Sequence, residues 1–275
     1  MRIQLSISSI VIDLEYPEWE GSNMKLPSYE QYRYFLKDSI RKTIDFSKTA
    51  QNLGYPAPPL EKPYKSNQEL IALTPPDSFE DKFRVDLQSA IKNRKSRRKY
   101  ATSPLSMMEL SFLLWATQGI RKQIDNAHAL RVVPSAGARH ALETYLAVLN
   151  VETLGKGFYR YLPIEHALVI ENLNASIAQQ VIPASLGQSW IADAAVFFIW
   201  ATIPERMEWR YGLAAHRVIL IDAGHVCQNL YLASEAIGAG TCAVGAYDQE
   251  KMDHMLGLDG NDEFVIYAAA VGKLD

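Results

Sequence analysis

The residues best suited to chemistry form a dense cationic segment before the middle of the chain. Five of its six residues are basic and the sixth is a serine: Arg94, Lys95, Ser96, Arg97, Arg98 and Lys99. Guanidinium forks beside a hydroxyl suit a phosphate monoester, because charge-assisted hydrogen bonds to a dianion are short and strong. The alternative is a solvated basic surface, and composition alone leaves both interpretations open.

A second candidate is the turn at 134–137, of sequence Pro-Ser-Ala-Gly, which continues into Arg139 and His140. Small side chains and a proline favour a fixed bend whose backbone amides can approach a flat ring closely. Ser135 is not expected to be a hydrolase nucleophile, because the segment lacks the first glycine of a nucleophile elbow and no strand precedes it. We therefore interpret the turn as a binding segment.

Two other patterns fail because of their position in the chain. The segment GAGTCA at 238–243 formally matches a dinucleotide fingerprint, but a helix precedes it and a strand follows, the reverse of what a bound pyrophosphate requires. His216 and His225 face opposite sides of one predicted helix, so no shared metal is expected there. The two cysteines, Cys227 and Cys242, form neither a disulfide framework nor a zinc spacing.

The element that must position these groups is a long helix predicted between Gly212 and Gly238. Nothing in this stretch forces a break, and at about 1.5 Å per residue it would be roughly 40 Å long. Its polar residues fall within an arc of roughly 140°, which leaves a wide apolar remainder. This pattern predicts a central helix packed on several sides, with a second subunit as one candidate neighbour, ending at Gly238 as an αL cap. The alternative is a core helix with no role in any site.

Helices and strands interleave around this central helix. Strands are predicted at 3–12, 144–150, 194–203, 241–245 and 264–272, with a hairpin over 157–170. Helices are predicted near 28–53, 79–95, 106–119, 174–184 and 248–257, with a polar loop at 121–130. The strands are apolar on both faces, which predicts an α+β fold whose central mixed or antiparallel sheet is covered by helices.

The first part of the chain differs in texture from the rest. Residues 1–80 include GYPAPPLEKPY at 54–64 and Pro75-Pro76, which favour an N-terminal extension with a proline-rich connector before a domain at 81–275. With 48% hydrophobic and 21% charged residues and a formal net charge of −3, the composition indicates a soluble protein with neither nucleic acid nor membrane as a partner. The cysteine usage fits a reducing cytosol, and no signal peptide is expected at the N-terminus.

Several motifs together resemble the nitroreductase superfamily, and more narrowly its SagB/ThcOx-type dehydrogenase branch. The resemblance covers about 80–275 and rests on RKSRRKY (94–100), LSMMELSFLLWATQGI (105–120), RVVPSAGARHALETYL (131–146), GFYRYLP (157–163) and AGHVCQNLYLASEAIGAGTCAVGAY (223–247). It implies an FMN-binding fold that forms a homodimer through the long central helix, with two flavin sites at the subunit interface.

The resemblance also implies roles for individual residues. Residues matching the family's grip on the FMN phosphate and ribityl chain are Arg94, Lys95, Ser96 and Arg98. Residues matching the segment that lines the flavin ring, expected from the partner subunit, are Pro134, Ser135, Ala136 and Gly137. Val244 and Gly245 match the stretch at the reactive edge of the ring, and Lys273 is similar to a cation that closes the phosphate site.

One dipeptide departs from the branch. Azoline-oxidising relatives carry Lys-Tyr just before the central helix, and the corresponding residues here are Arg210 and Tyr211. Arginine is a poor proton acceptor at ordinary pH, so base catalysis of the lysine type is in doubt, although Tyr211 could donate or accept a proton. The alternative is that both residues only cap and pack the helix.

The resemblance and the residues together predict an FMN-dependent oxidoreductase. Hydride would pass through flavin N5, from NAD(P)H as the expected donor to a small organic acceptor of the nitro or quinone type. One alternative is oxidation of an azoline to an azole in a modified peptide substrate. An alternative of another class is a non-catalytic flavin-binding or maturation partner.

Overall fold

The computed structural model describes residues 3–7, 10–14, 29–125 and 127–275. The chain divides into two compact units, Met1–Thr43 and Ile44–Asp275. In the first unit, β1 (Ile3–Ile7) and β2 (Ile10–Leu14) pair antiparallel, and a helix α1 spans Glu30–Leu36. The predicted helix over 28–53 begins outside the described residues, and beyond Leu36 it is wrong, because Lys37 is extended and only short 3-10 turns follow.

The second unit holds the other nine strands and six helices of the described chain. Its strands are β3 (Leu70–Ala72), β4 (Ile120–Gln123), β5 (Ala129–Arg131), β6 (Leu142–Val148), β7 (Gly157–Leu162), β8 (Ala167–Leu173), β9 (Val196–Thr202), β10 (Ala239–Val244) and β11 (Phe264–Lys273). Its helices are α2 (Leu87–Asn93), α3 (Met107–Gln118), α4 (Ala178–Ala184), α5 (Glu205–Tyr211), α6 (Ala215–Ala236) and α7 (Gln249–Leu256).

Seven of these strands form one antiparallel sheet in the order β10-β11-β9-β6-β7-β8-β3. Alternate side chains enter two hydrophobic clusters, as strand geometry requires. On β9, Phe198 and Trp200 join the cluster that contains α3 and α6, whereas Phe197 and Ile199 join the one that contains α4 and α7. The predicted α+β fold with a helix-covered sheet is therefore confirmed.

Helix α6 is the predicted long central helix. It runs for 22 residues, which corresponds to about 33 Å. Gly238 follows its end with a φ of 64°, a left-handed conformation that favours glycine, so the predicted cap is confirmed. Its predicted role at a dimer interface stays a prediction.

Residues 60–63 of the proline-rich connector, here called the strap, are fastened to the sheet by buried charged groups. Arg131 donates to the carbonyl of Leu60 at 2.8 Å, Arg160 donates to the carbonyl of Lys62 at 2.7 Å, and Glu143 accepts the backbone N–H of Lys62 at 2.7 Å. Further along the connector, β3 joins the sheet. The domain boundary near residue 80 stays a prediction.

Two predicted segments differ in the structure. The helix predicted over 79–95 is helical only from Leu87, because Asp86 caps α2 by accepting the N–H groups of Gln88 and Ser89. The apolar residues of the predicted helix are divided accordingly: Phe79 and Phe83 pack against Phe112, whereas Leu87 and Ile91 on α2 are exposed. The predicted loop at 121–130 contains the hairpin of β4 and β5.

Candidate functional site

The cationic segment 94–99 lies along an edge of the main sheet. Helix α2 ends at Asn93, and the chain then runs beside β10, where Ser96 forms an isolated parallel bridge with Thr241. The N–H of Arg97 donates to the carbonyl of Thr241 at 3.0 Å. Because β10 is the outer strand, its backbone groups are available for this pairing. The segment is thereby held at a defined place on the sheet edge.

Tyr231 of α6 ties this segment to the sheet. Its phenol oxygen accepts the backbone N–H of Ala243 at 2.9 Å and lies 3.0 Å from the hydroxyl oxygen of Ser96. The guanidinium of Arg94 lies 5.1 Å from the centre of the Tyr231 ring. Such a cation over an aromatic face is attracted by the ring quadrupole. Tyr231 was not singled out by the sequence analysis, because nothing in the sequence marks a partner 135 residues from Ser96.

The basic side chains of the segment are not neutralised within the described part of the chain. None of its five cations has a carboxylate within ion-pair distance among the residues that the structure describes. The Nε of Arg97 is buried and unpartnered, and the guanidinium of Arg98 lies 5.8 Å from the Trp190 ring. A concentration of unpaired guanidinium and ammonium groups can bind an anion such as a phosphate monoester.

Lys273, the predicted closing cation, is engaged elsewhere in this chain. Its ammonium donates to Glu109 at 2.6 Å and to the carbonyl of Ile237 at 2.9 Å. Glu109 also completes a capping box of α3 by accepting the N–H of Ser106, at 2.9 Å. A role for Lys273 at a phosphate would have to share this carboxylate, and it stays a prediction.

Val244 and Gly245 lie further along the same edge strand as the cationic segment. Val244 is buried at the end of β10, three residues beyond Thr241, which corresponds to roughly 10 Å along a strand. Gly245 follows it and is exposed. One sheet edge therefore carries both the segment predicted for the phosphate and the pair predicted for the ring.

The turn at 134–137 is a strained segment held by several hydrogen bonds. Gly137, Ala138 and His140 have positive φ angles of 57°, 52° and 47°. The hydroxyl oxygen of Ser135 accepts the N–H of His140 at 3.0 Å. Left-handed conformations at residues other than glycine cost of order 1–3 kcal/mol each and persist where the surrounding structure enforces them.

A buried carboxylate of α6, Asp222, lies beside this turn. It accepts the backbone N–H of Ala136 at 3.3 Å. Burial raises the pKa of Asp222, while hydrogen bonds from the Ser135 hydroxyl and the Ala136 N–H act in the opposite direction. The turn is thus tied to α6 by a group that the sequence analysis placed only on the polar side of the helix.

Gly137 meets the Arg210-Tyr211 dipeptide. A Cβ atom added at Gly137 would lie 2.7 Å from the Tyr211 hydroxyl oxygen and 2.8 Å from Arg210 Nε. A residue with any side chain would therefore overlap both groups. The structure brings together two features that the sequence analysis treated separately.

Buried cations lie behind the turn. Arg139 donates to the carbonyl of Arg206 at 3.0 Å and stacks on the Trp209 ring at 4.6 Å. Arg206 is 1% exposed, and its Nε and Nη1 atoms have no partner among the described residues. Burial, together with Arg131, Arg139 and Arg206, lowers the pKa of His140 to about 3, so this imidazole is neutral at pH 7.

The cationic segment and the turn contact opposite sides of α6. Their contacts on the helix are Tyr231 and Asp222, which are nine residues apart in the sequence. At about 100° and 1.5 Å per residue, this separation is roughly half a turn around the axis and 13 Å along it. A single chain therefore presents the cationic segment and the turn on different faces of one helix.

Comparisons with known proteins agree with this architecture. Residues 91–273 match the sequence profile of the nitroreductase family. A protein of Methanocaldococcus jannaschii, named as a nitroreductase, is 36% identical over 189 residues, covering 69% of this chain and 91% of its own. The trifolitoxin-processing protein TfxB of Rhizobium leguminosarum is 27% identical over 168 residues, covering 60% of this chain and 45% of its own.

The same fold occurs in a chain of the microcin synthetase McbBCD complex of Escherichia coli, with a TM-score of 0.55 over 91% of this chain and 98% of the other. At 19% identity this likeness shows the fold alone. The profile match covers most of the chain and includes the cationic segment, the turn and α6. This match and the Methanocaldococcus relative are the stronger evidence. The chain therefore belongs to the nitroreductase family, a family of oxidoreductases.

Proposed function

We propose that this protein is an FMN-dependent oxidoreductase that transfers electrons from NAD(P)H to a small organic acceptor of the nitro or quinone type. The observation that carries the proposal is the segment 94–99 in a nitroreductase-family fold. Its cations have no carboxylate partner among the described residues, and its Arg94 and Ser96 contact Tyr231 at the sheet edge. Such a donor set fits the phosphate of FMN, a group that members of this family generally bind.

The residues present fit the cofactor in two further respects. The buried Nε of Arg97 is a donor that lacks an acceptor among the described residues, and an unpaired buried donor is costly. Gly137 is exposed, so a flat ring could approach the backbone of the turn from solvent. In this proposal Arg94, Lys95, Ser96 and Arg98 bind the phosphate end, and residues 134–137 with Val244 and Gly245 surround the ring.

When bound, FMN supplies two-electron transfer through N5 of its ring. The chain's own groups then orient the reactants and handle protons. The Tyr211 hydroxyl, beside Gly137, is placed to donate or accept a proton. Asp222 holds the turn through the Ala136 N–H. Arg210 contributes a positive charge beside the turn, and an arginine is unsuited to act as a general base.

A homodimer is part of the proposal. Large apolar side chains are exposed on and near α6, at Leu213, Leu220 and Ile221, and on the neighbouring α2, at Leu87 and Ile91. Exposed apolar surface of this kind is typical of subunit interfaces. Pairing two copies through α6 would let the turn of one chain complete the segment of the other, which a single chain does not do.

The experiment that tests the cofactor assignment compares Arg98→Ala with Arg121→Ala. Loss of a charge-assisted bond of about 1.5–3 kcal/mol should raise the FMN dissociation constant at least roughly 10-fold in Arg98→Ala. Arg121 is exposed on β4, outside the segment, and its replacement should leave binding unchanged. FMN binding is measured by quenching of flavin fluorescence, with circular dichroism as the folding control. Equal affinities in the two variants would remove the phosphate assignment.

A second candidate function is oxidation of an azoline to an azole in a modified peptide. It is favoured by the 27% identity to a toxin-processing protein, although this chain spans less than half of that relative. Anaerobic bleaching of bound flavin by NADPH supports the reductase, and its absence supports the peptide dehydrogenase. A colourless protein that takes up no added FMN supports a non-catalytic maturation partner instead.

A further inference from the structure

Among the described residues, Arg210 has no carboxylate partner of the kind that a half-buried arginine usually has. Its Nη1 donates to the side-chain oxygen of Gln51 at 3.3 Å, and its guanidinium lies 5.7 Å from the Tyr211 ring. No carboxylate of the described residues lies within ion-pair distance of it. A guanidinium has five N–H donors, so one amide acceptor leaves most of them available to a ligand.

The carboxylate of Glu208, two residues before Arg210, is committed to another group, as are the carboxylates that contact the turn and the buried Arg206. Glu208 pairs with His216 at 2.7 Å, and Glu143 pairs with the buried Arg206 at 2.6 Å. Asp222 accepts the N–H of Ala136. The neighbouring arginines leave an excess of positive charge on this side of the turn, and the low pKa of His140, due to burial and to Arg131, Arg139 and Arg206, is consistent with that field.

Gln51 is itself fixed, so its contact can orient the guanidinium. Its backbone N–H donates to the carbonyl of Trp209 at 2.9 Å. The indole N–H of Trp209 in turn donates to the carbonyl of Tyr55 at 2.9 Å. Residues 51–55 of the connector are therefore fastened to α5 immediately before Arg210, which makes Gln51 a positioning residue.

From these contacts we infer that Arg210, oriented by Gln51, binds a carboxylate of the substrate, so that this oxidoreductase selects anionic substrates. The inference rests on the proposed function and specifies the substrate class of the same site. A planar guanidinium recognises a carboxylate through two parallel hydrogen bonds, which a lysine at this position could not reproduce. The carboxylate could belong to a small aromatic acceptor or to a peptide.

The test uses 4-nitrobenzoate and 4-nitrobenzamide, which have similar shapes and differ in charge. The full-length FMN-loaded protein should prefer the benzoate by roughly 10-fold to 100-fold in kcat/KM, mainly through KM. Arg210→Gln should reduce this ratio to about one, Arg210→Lys should restore it only in part, and Gln51→Leu should raise KM for the benzoate with little change for the benzamide. Arg121→Ala is the matched control and should keep the wild-type ratio.

Direct binding decides the question if neither compound is turned over. Calorimetric titration of the FMN-loaded protein with 4-nitrobenzoate should then give an affinity that falls in Arg210→Gln, while failure to turn over either compound would count against the proposed reductase alone. A peptide source is supported if a short peptide with a free C-terminal carboxylate competes with 4-nitrobenzoate and its C-terminal amide does not. Equal use or binding of the benzoate and the benzamide, or loss of FMN from Arg210→Gln, would overturn the inference.

Discussion

Gly137 is a residue at which one added atom would disturb the candidate site. Its φ of 57° lies in the left-handed region, and the space where a Cβ would lie is taken by Tyr211 and Arg210. Two separate penalties therefore attach to a side chain at this position. One comes from the backbone conformation and the other from overlap with the dipeptide.

These penalties can be separated with a matched glycine. Gly257, after α7, has a φ of 69°, and a Cβ there would meet nothing within 4 Å. The free energy of unfolding in urea should therefore fall in Gly257→Ala only by the conformational cost of about 1–2 kcal/mol. In Gly137→Ala it should fall by more. Adding Tyr211→Phe should return part of the difference, because it removes the nearest atom. Equal losses at both glycines would mean that the turn moves freely away from the dipeptide.

For single residues, the sequence identified candidate site residues better than it predicted which residues they contact. The basic residues around Ser96 and the small residues of the turn were recognisable because their composition is unusual. Tyr231 was not, because a tyrosine on the apolar side of a helix is indistinguishable from core until its hydroxyl is seen between Ser96 and Ala243. The placement of Gly137 against Arg210 likewise depends on residues more than 70 positions apart in the sequence.

Among the elements, the strap at 60–63 shows how an irregular segment is held without regular pairing. Glu61 is 8% exposed and accepts the backbone N–H of Ile164 at 3.1 Å. Burial raises the pKa of Glu61 to about 8, with Glu165 and Glu143 adding to the effect and the Ile164 N–H opposing it. The carboxyl group is therefore protonated at neutral pH, in contrast to an exposed glutamate.

This shift makes stability fall with rising pH. Between the ordinary value of 4.5 and about 8 the folded protein holds a proton on Glu61 that the unfolded chain has released, so the free energy of unfolding decreases across that window. Glu61→Gln, which keeps the acceptor for Ile164 and removes the titration, should flatten this dependence and be the more stable protein at pH 8. Urea unfolding at pH 5 and pH 8 measures it, with the exposed Glu80→Gln as control. A slope unchanged in Glu61→Gln would assign the pH dependence to other groups.

Element predictions succeeded where periodicity and capping agreed. The helix predicted at 106–119 formed with a capping box of Ser106 and Glu109, and the αL cap at Gly238 formed as expected, because both ends depend on local chemistry. The helix predicted over 79–95 formed only over Leu87–Asn93, because an apolar spacing of four residues is also compatible with an irregular segment. Phe79 and Phe83 pack against the core from an irregular segment, and the helix begins only after its N-cap residue, Asp86.

At the scale of the whole molecule, α6 separates the two halves of the candidate site. The segment and the turn contact opposite faces of this helix, and in the proposed homodimer the turn of one copy would meet the segment of the other. The exposed Ile221 and Leu220 on the helix are the residues on which such pairing would depend. The contacts on the two faces of α6 could not be derived from its apolar periodicity. Periodicity indicates which faces of a helix are buried but not which residues cover them.

A negative charge introduced at Ile221 on α6 should dissociate the proposed homodimer. Wild-type protein is expected to have twice the chain mass of 30.9 kDa in light scattering, and Ile221→Glu should have a mass of 30.9 kDa with much weaker FMN binding. Leu173→Glu is the control, since Leu173 is 57% exposed at the end of β8, away from α6. A wild-type protein that is monomeric and still binds FMN would contradict the dimer proposal.

The two edges of the main sheet also affect the tendency of the protein to aggregate in concentrated solution. At one border the backbone of β10 is occupied by residues 96 and 97, and at the other lies β3, a strand of three residues. Long unpaired strand borders recruit foreign chains and promote aggregation. Here one border is partly occupied by the segment assigned to the phosphate and the other is short. The same stretch of chain that supplies the cations therefore also protects the sheet against unwanted polymerisation.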